Sequence, residues 1–111
     1  MLLIDNENNI MLTRGDTAVL NLEVTIDGEA YDYSNDLVQF TVKKNTVTES
    51  VIIQKTFSGS SVTIEPEDTE NLNYQSLVYD VQVITQNGRV FTVIPPARFT
   101  ISEEVNFYVG T

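Results

Sequence analysis

The sequence has no cysteine, no histidine and no tryptophan in its 111 residues. Without cysteine it cannot form a disulfide, a thiolate nucleophile or a cysteine-rich zinc site. Without histidine it lacks the side chain that most often transfers protons in enzymes near neutral pH. No apolar run approaches the about 20 residues that a membrane-spanning helix requires. Carboxylate pairs are the remaining route to catalysis, and we expect a protein that is not an enzyme.

Basic residues are also scarce, because six of them face sixteen acidic residues and the net charge is -10. Such a surplus repels a phosphate backbone and an anionic membrane surface, so we expect neither nucleic acid nor a membrane as a partner. The opening segment MLLI is followed by Asp5 and Glu7, and it has neither a basic leader nor the long apolar stretch of a signal peptide. We expect no signal peptide and synthesis in a cytoplasm.

Side chains that alternate between apolar and polar indicate β-strands along most of the chain. The clearest stretches are 18–26, 37–44 and 76–86. The side chains that this alternation turns inward are Leu20, Leu22, Val24, Ile26, Val38, Phe40, Val42, Tyr79, Val81 and Val83. Asp80 and Gln82 are predicted to face solvent.

Two pairs of strands are predicted to form hairpins. Ser58-Gly59-Ser60 separates the β-branched stretch 51–57 from 61–65, and we interpret these two stretches as one hairpin. Asn87-Gly88 joins 76–86 to the strand that follows, because this dipeptide readily adopts the positive φ angles of a two-residue hairpin loop.

Other local signals interrupt the β pattern. Asp27-Gly28 supplies a turn after the first long strand. Pro66 suits the first position of a helix, and Glu67 and Asp68 suit a helix N-terminus. Pro95-Pro96 cannot donate ladder hydrogen bonds, so the strand must bend, bulge or lie on an edge there and continue as a second piece.

These signals together predict an all-β fold. We expect residues 1–111 to form one domain, an antiparallel immunoglobulin-like β-sandwich of about seven to nine short strands with one short helical turn near residues 66–72. A small barrel is the structural alternative. Tyr79 follows the helical turn and is a candidate tyrosine corner, in which its hydroxyl group would bond to nearby backbone.

Arg14-Gly15-Asp16 matches a cell-adhesion tripeptide. An adhesion ligand has to protrude at the tip of a loop, whereas this tripeptide directly precedes a strongly alternating strand. Glycine adopts turn conformations easily and aspartate bonds to the backbone that follows it. We therefore interpret the tripeptide as the turn that begins a strand, and not as an integrin-type ligand.

Two groups of acidic residues are candidates for carboxylate catalysis. Glu67, Asp68 and Glu70 lie close together in sequence, and they are also what the start of a helix favours. Glu103 and Glu104 form the second group, which we interpret as the solvated end of a strand. Neither group is assigned a catalytic role.

A third acidic group is a candidate for calcium binding. Asp27, Glu29, Asp32 and Asp36 lie in one predicted loop, where backbone carbonyl groups could add ligands. The segment lacks a recognised calcium-loop pattern, and we interpret it as an acidic turn region between two strands. The sequence thus leads us to assign no catalytic, cofactor-binding or metal-binding residue.

Aromatic side chains and apolar ends suggest surfaces for binding. Tyr31, Tyr33, Tyr74 and Tyr108 could stack on sugar rings, which makes a carbohydrate-binding module an alternative function. The ends MLLI and VNFYVGT (105–111) either complete the sandwich as strands or dock on another chain. Both interpretations of the ends stay open at this point.

Several stretches together resemble a known family of phage proteins. They are IMLTRGDTAVLNLEV, LVQFTVKKN, IEPEDTENL, YDVQVITQNGRVFTV and RFTISEEVN, which span about Ile10 to Asn106. They are similar to the N-terminal β-sandwich domain of the baseplate upper protein of tailed phages and prophages. The most specific parts are Gly15-Asp16-Thr17, Pro66-Glu67-Asp68-Thr69, and Tyr79-Asp80 followed by Asn87-Gly88.

The resemblance implies a phage structural protein of the tail or baseplate, a virion component made in the host cytoplasm. It implies a non-enzymatic assembly module without a cofactor, which works through protein–protein interaction. Its expected partners are other phage tail or baseplate subunits, and a homo-oligomer is compatible with this role. The rival functions are the carbohydrate-binding module, which would contact host surface glycans, and a bacterial surface adhesin, which the lack of an export signal disfavours.

Overall fold

The computed structural model describes residues 1–104, which form ten strands and one short helix. The strands are β1 (Leu2–Ile4), β2 (Ile10–Thr13), β3 (Ala18–Asn21), β4 (Thr25–Ile26), β5 (Glu29–Ala30), β6 (Leu37–Lys43), β7 (Val51–Thr56), β8 (Ser61–Ile64), β9 (Gln75–Ile84) and β10 (Val90–Ser102), and the helix is α1 (Pro66–Thr69). Eight of these strands have three or more residues. The predicted all-β sandwich with one short helix is confirmed. No helix in this part of the chain is long and apolar enough to cross a membrane.

Two layers of unequal size make up the sandwich. The larger sheet has the strand order β1-β2-β10-β9-β6-β7, and the β3-β8 pair forms the second sheet. A small hairpin, β4-β5, lies beside them. Every strand pair in residues 1–104 is antiparallel except β2 and β10, which run parallel. No hairpin connects β2 to β10, so nothing forces them into opposite directions.

The core lies between the two sheets and contains the predicted inward side chains, with one exception. Phe40, Tyr79 and Phe99 meet at its centre, where the ring centroids of Phe40 and Tyr79 are 5.2 Å apart and those of Phe40 and Phe99 are 5.9 Å apart. Burying one such large side chain contributes about 1.5–3 kcal/mol to the free energy of unfolding.

Ile26 is the exception, because 48% of its surface is exposed. The predicted strand 18–26 stops pairing at Asn21, since its partner β8 is only four residues long. The chain then pairs again as β4 with β5 through Asp27-Gly28, where φ is 54° and 82°. Two positive φ angles in a two-residue loop are typical of a type I′ hairpin turn.

The predicted hairpin at Asn87-Gly88 is confirmed, but the prediction that its loop has two residues is wrong. The Gly88 N–H donates to the carbonyl group of Thr85 at 2.9 Å, and the Thr85 N–H donates to that of Arg89 at 2.8 Å. Gly88 has a φ of 84°, whereas Asn87 is not among the described residues with positive φ. The loop is therefore a three-residue turn that ends in a glycine bulge, another common hairpin connection.

The predicted hairpin between 51–57 and 61–65 is wrong. β7 pairs with β6 in the larger sheet, and β8 pairs with β3 in the smaller one. The chain crosses between the layers around Ser58-Gly59-Ser60, where Ser58 and Ser61 form an isolated bridge. Turn residues between two apolar stretches indicate a change of direction, but they do not distinguish a hairpin from a crossing between sheets.

The helix forms where the sequence predicts it. The Asp68 carboxylate accepts a hydrogen bond from the Glu65 N–H at 2.8 Å, and it forms an ion pair with Lys55 at 2.9 Å. The predicted tyrosine corner is not local, because the Tyr79 hydroxyl group donates to the carbonyl group of Asn8, far away in sequence. It therefore ties β9 to the loop before β2.

β10 continues as one strand through Pro95 and Pro96, where the sequence predicts two pieces. Its register against β9 shifts between Thr92 and Ile94 and again between Ile94 and Ala97. The prolines thus lie in an irregular segment of the strand, as their missing N–H groups require. The predicted bulge is confirmed, and the predicted break is not.

Candidate protein-interaction surfaces

The Arg14 side chain lies inside the structure, and only 12% of it is exposed. Its Nε and Nη2 atoms donate to the Glu104 carboxylate at 3.0 and 2.6 Å, and its Nη1 atom donates to the carbonyl group of Leu72 at 3.0 Å. The hydrogen bond and charge of Arg14 lower the pKa of Glu104 below its ordinary value. Arg14 therefore connects the end of β2 with the segment after β10.

The rest of the tripeptide is also held in place. The Gly15 N–H donates to the hydroxyl oxygen of the fully buried Thr69 at 2.8 Å, and Asp16 contacts the amino group of Met1. Gly15 has a φ of 82°, which favours glycine. The tripeptide thus begins a strand, and it does not protrude as an adhesion ligand would.

The two candidate acidic groups take part in structural contacts. Asp68 binds Lys55 and the start of α1, and Glu67 in α1 and Glu70 after it are exposed, as the interpretation as a helix start predicts. Glu103 is exposed, as predicted for a solvated strand end. Glu104 is not, because its side chain is only 16% exposed and pairs with Arg14.

The four acids of the candidate calcium site are used separately. Asp36 accepts a hydrogen bond from the Tyr31 hydroxyl group at 2.6 Å, which raises the pKa of Tyr31. Asp32 accepts one from the Ser34 N–H at 3.0 Å, Asp27 lies in the β4-β5 turn, and Glu29 is exposed on β5. In the described part of the chain, no three or more acidic side chains converge in a way that could hold a metal ion.

The candidate sugar-stacking tyrosines differ in exposure. Tyr31 and Tyr33 are half-buried against the core, and the Tyr33 hydroxyl group donates to the carbonyl group of Leu22. Tyr74 has 66% of its surface exposed. Tyr108 lies outside the described residues. Among residues 1–104, Tyr74 is thus the most exposed of the candidate rings.

The MLLI segment both pairs within the molecule and leaves apolar surface outside. β1 pairs with β2 with Leu3 opposite Met11 and Ile4 opposite Ile10. Leu3, Ile4 and Met11 are 54%, 51% and 44% exposed, and we call these three residues the β1–β2 patch. They border a shallow groove of about 350 Å³. The segment 105–111 lies outside the described residues, so its two interpretations stay predictions.

The β1–β2 patch lies at a sheet edge and has a balanced charge at its rim. Within residues 1–104, β1 has a neighbouring strand only on its β2 side. Arg98 and Asp5 line the groove, and Arg98 contributes to lowering the pKa of Asp5 after the larger effect of the Asn9 hydrogen bonds. A partner could therefore meet both apolar side chains and unpaired backbone here.

A second open edge lies along the first part of β10. β9 pairs along the length of β10, but β2 pairs with it only over Phe99–Ser102. Among the residues that the structure describes, Val90–Arg98 therefore has a strand on one side only. The Arg98 N–H at the boundary donates to the Asn9 side chain at 2.9 Å, which replaces the ladder bond that a longer β2 would make.

A groove of about 380 Å³ accompanies this open edge. We call it the β10 groove; its walls include Glu23, Val24, Ile26, Tyr31, Phe91 and Val93. Phe91 is 45% exposed and lies opposite the buried Val83 in the β9–β10 register. This groove was not predicted from the sequence, because the alternation of residues 18–26 places Ile26 in the core.

Asp80 faces outward from β9, as predicted, but it is half-buried. It lies opposite Thr41 and lines a cavity of about 130 Å³ with Lys43 and Pro96. Burial raises the pKa of Asp80, and the charge of Lys43 partly opposes this shift.

Comparisons with known proteins add little to this description. No family model matches the chain, and no curated protein matches it. A solved structure, that of CopC from Methylosinus trichosporium OB3b, is similar over 88% of this chain and 87% of that chain, with 11% sequence identity and a TM-score of 0.46. We draw no functional argument from a similarity of this size.

Proposed function

We propose that this chain is a non-enzymatic structural module of a phage tail or baseplate, which assembles a virion through protein–protein contacts. The observation that carries the proposal is the β1–β2 patch, where Leu3 and Ile4 on the edge strand β1 and Met11 on the neighbouring β2 are about half exposed. Large apolar side chains grouped at the surface mark interaction sites, and sheet edges accept additional strands.

The two kinds of contact can act together at this edge. A partner strand would pair with the backbone of β1, while its side chains would cover Leu3 and Met11 on the same face. Arg98 and Asp5 at the rim keep the local charge near balance, although the whole chain carries a net charge of -10. Other tail or baseplate subunits, or further copies of this chain, are the partners that such a surface fits.

Many copies of one weak contact suffice in a virion. Each additional copy raises the effective concentration of the next contact, so a small patch can hold a large assembly. This explains why the sequence needs no single dominant binding residue. The resemblance to the baseplate upper protein of tailed phages and prophages supports a phage tail or baseplate as the assembly.

Co-assembly with identified subunits tests the proposal. The chain is co-expressed with recombinant, or mixed with purified, phage tail and baseplate subunits, those encoded by genes that flank its own first, and complexes are measured by size-exclusion chromatography with light scattering. We expect a defined complex with wild type and its loss in the double variant L3K/M11K. Both positions are exposed, so the double variant should unfold within about 1 kcal/mol of wild type.

Val19→Lys is the matched control, because Val19 is 52% exposed but lies on β3 in the other sheet. It should leave the complex intact. The proposal is overturned if wild type forms no complex with any tail or baseplate subunit. Binding to a glycan array that Tyr74→Ala abolishes would instead favour the carbohydrate-binding module.

A further inference from the structure

We propose that the β10 groove binds an extended segment of a partner protein that alternates apolar and basic side chains. This inference deepens the proposed function, on which it rests for the view that the chain acts by binding proteins. It concerns a surface separate from the β1–β2 patch. Three observations carry it: an open strand edge, an apolar slot and an excess of negative charge.

The first observation is the open edge of Val90–Val93. In residues 1–104 this part of β10 pairs with β9 on one side and has no strand on the other. Backbone groups on a free edge can bind an added strand. Pro95 and Pro96 lack N–H donors, so they limit strand addition to the segment before them.

The second observation is the slot beside that edge. Phe91 shares a face with Val83, and it lines the groove together with Val24 and Ile26 on the opposite wall. Phe91 and Ile26 stay 45% and 48% exposed although both border the interior. The groove volume of about 380 Å³ lies in the range of ligand pockets, about 300–1,000 Å³. Alternate side chains of an extended peptide would enter it.

The third observation is the charge of the wall formed by β4 and its flanks. From Leu22 to Asp36 the sequence has no basic residue but has five acidic ones. Glu23 lines the groove, and Asp36 binds the hydroxyl group of Tyr31, which also lines it. The acidic residues of this segment are Glu23, Asp27, Glu29, Asp32 and Asp36.

This charge selects the occupant. Arg89 directly precedes β10 and brings one positive charge next to this edge, against the five acidic residues of the other segment. A second copy of the chain brings its own net charge of -10 and is repelled, whereas a basic segment is attracted. The occupant is therefore a basic, apolar strand of a different protein.

Fluorescence anisotropy with labelled synthetic peptides tests this inference on the full chain. The probe is the peptide KVKVKVK. The controls are EVEVEVE and the uncharged segment VNFYVGT of this chain. We expect the lysine peptide to bind and both controls to bind at least about tenfold more weakly, which corresponds to about 1.4 kcal/mol.

Three variants locate the binding. Phe91→Ala should weaken binding of the lysine peptide by about tenfold, because apolar contact is lost. Glu23→Gln should weaken its binding by about threefold, because charge attraction is lost. Val19→Ala is the control and should change nothing. Circular dichroism checks that each variant is folded, and Glu23→Gln keeps the test decisive if Phe91→Ala is not folded.

Several results would overturn the inference. These are equal binding of the three peptides, equal binding by Phe91→Ala and wild type where both are folded, tighter binding of VNFYVGT, or a Phe91-dependent dimer in light scattering. Its failure is separable from failure of the proposed function. If the lysine peptide binds but no tail or baseplate complex forms, the groove inference is supported and the proposed phage role is rejected. If such a complex forms but the peptide does not bind, only the groove inference is rejected.

Discussion

The two parts of β10 differ although they belong to one strand that pairs with β9 along its length. We call Phe99–Ser102 the closed part and Val90–Arg98 the open part. In the closed part β9 and β2 flank the strand, and Phe99 and Ile101 have no exposed surface. In the open part β9 is the one neighbour found in residues 1–104, and Phe91 stays 45% exposed. Alternation decides which face a side chain occupies, but neighbouring strands decide whether that face is covered.

The boundary between the two parts is set by a few polar contacts. Asn8, with a φ of 65°, turns the chain before β2, and its carbonyl group accepts the Tyr79 hydroxyl bond. Asn9 accepts the bond from the Arg98 N–H at 2.9 Å. Beyond them the bulged segment with Pro95 and Pro96 changes the register. Side-chain bonding by Asn9 thus marks the point where β2 begins, and the part of β10 before Phe99 stays open to another strand.

The largest expected effect is a difference in the loss of stability between alanine variants of Phe99 and Phe91. Phe99→Ala should lower the free energy of unfolding by about 3–5 kcal/mol, because it leaves a cavity among Phe40 and Tyr79. Phe91→Ala removes a ring that is nearly half exposed and should cost about 1 kcal/mol. Urea unfolding followed by circular dichroism measures both. Equal losses of stability in the two variants would show that Phe91 is covered in solution, and that the open part does not differ from the closed part.

Sequence reasoning works best where a strand has neighbours on both sides. Val38, Phe40 and Val42 are buried as predicted, and β6 is flanked by β7 and β9. Leu22, Val24 and Ile26 follow the same alternation beyond the β3–β8 pairing, and of these three Ile26 is exposed, because it lies in the small β4–β5 hairpin. Which element covers the end of a strand is a non-local property, and it leaves no trace in the alternation of the strand itself.

The candidate sites show the same limit. The Arg14 contact with Glu104 joins residues that are 90 positions apart, and no local pattern relates them. The turn at Gly15 could be predicted from the sequence, because it depends on the glycine and on the strand that follows. The β10 groove could not be predicted, since it arises where Phe91 of the larger sheet and Ile26 of the β4–β5 hairpin line one space.

Tyr79→Phe tests the boundary with a smaller effect. The hydroxyl group binds the carbonyl group of Asn8, and its loss should cost about 1 kcal/mol. Burial, followed by the charge of Asp5, raises the pKa of Tyr79 to about 12. Since the unfolded tyrosine ionises near pH 10, the stability of the native protein falls as the pH rises from 10 towards 12.

The phenylalanine variant cannot ionise at position 79, so its stability should fall less than that of wild type over this pH range. Urea unfolding at increasing alkaline pH measures the difference. Tyr74→Phe is the control, because Tyr74 is 66% exposed. If the Tyr79 and Tyr74 variants respond alike to alkaline pH, the Tyr79 ring is not buried in solution as it is in the structure.

The smallest expected effect concerns the charge pair that follows the closed part. Glu104→Gln keeps the size of the side chain and a hydrogen-bond acceptor for Arg14, so it removes chiefly the charge attraction. We expect a small decrease in the urea midpoint at neutral pH. Glu70→Gln, at an exposed position next to α1, gives the same change in net charge and should leave the midpoint nearly unchanged.

The pH dependence distinguishes a charge effect from a packing effect. Arg14 holds the folded-state pKa of Glu104 below its ordinary value of 4.5. The stabilisation is therefore complete above that value and is lost as the pH falls through the folded-state pKa, because the unfolded chain takes up its proton first. The difference between wild type and Glu104→Gln should be constant from neutral pH to about 5 and then shrink. A difference that persists in acid would mean that Glu104 holds the end of the closed part by shape, and that the ion pair contributes nothing to its closure.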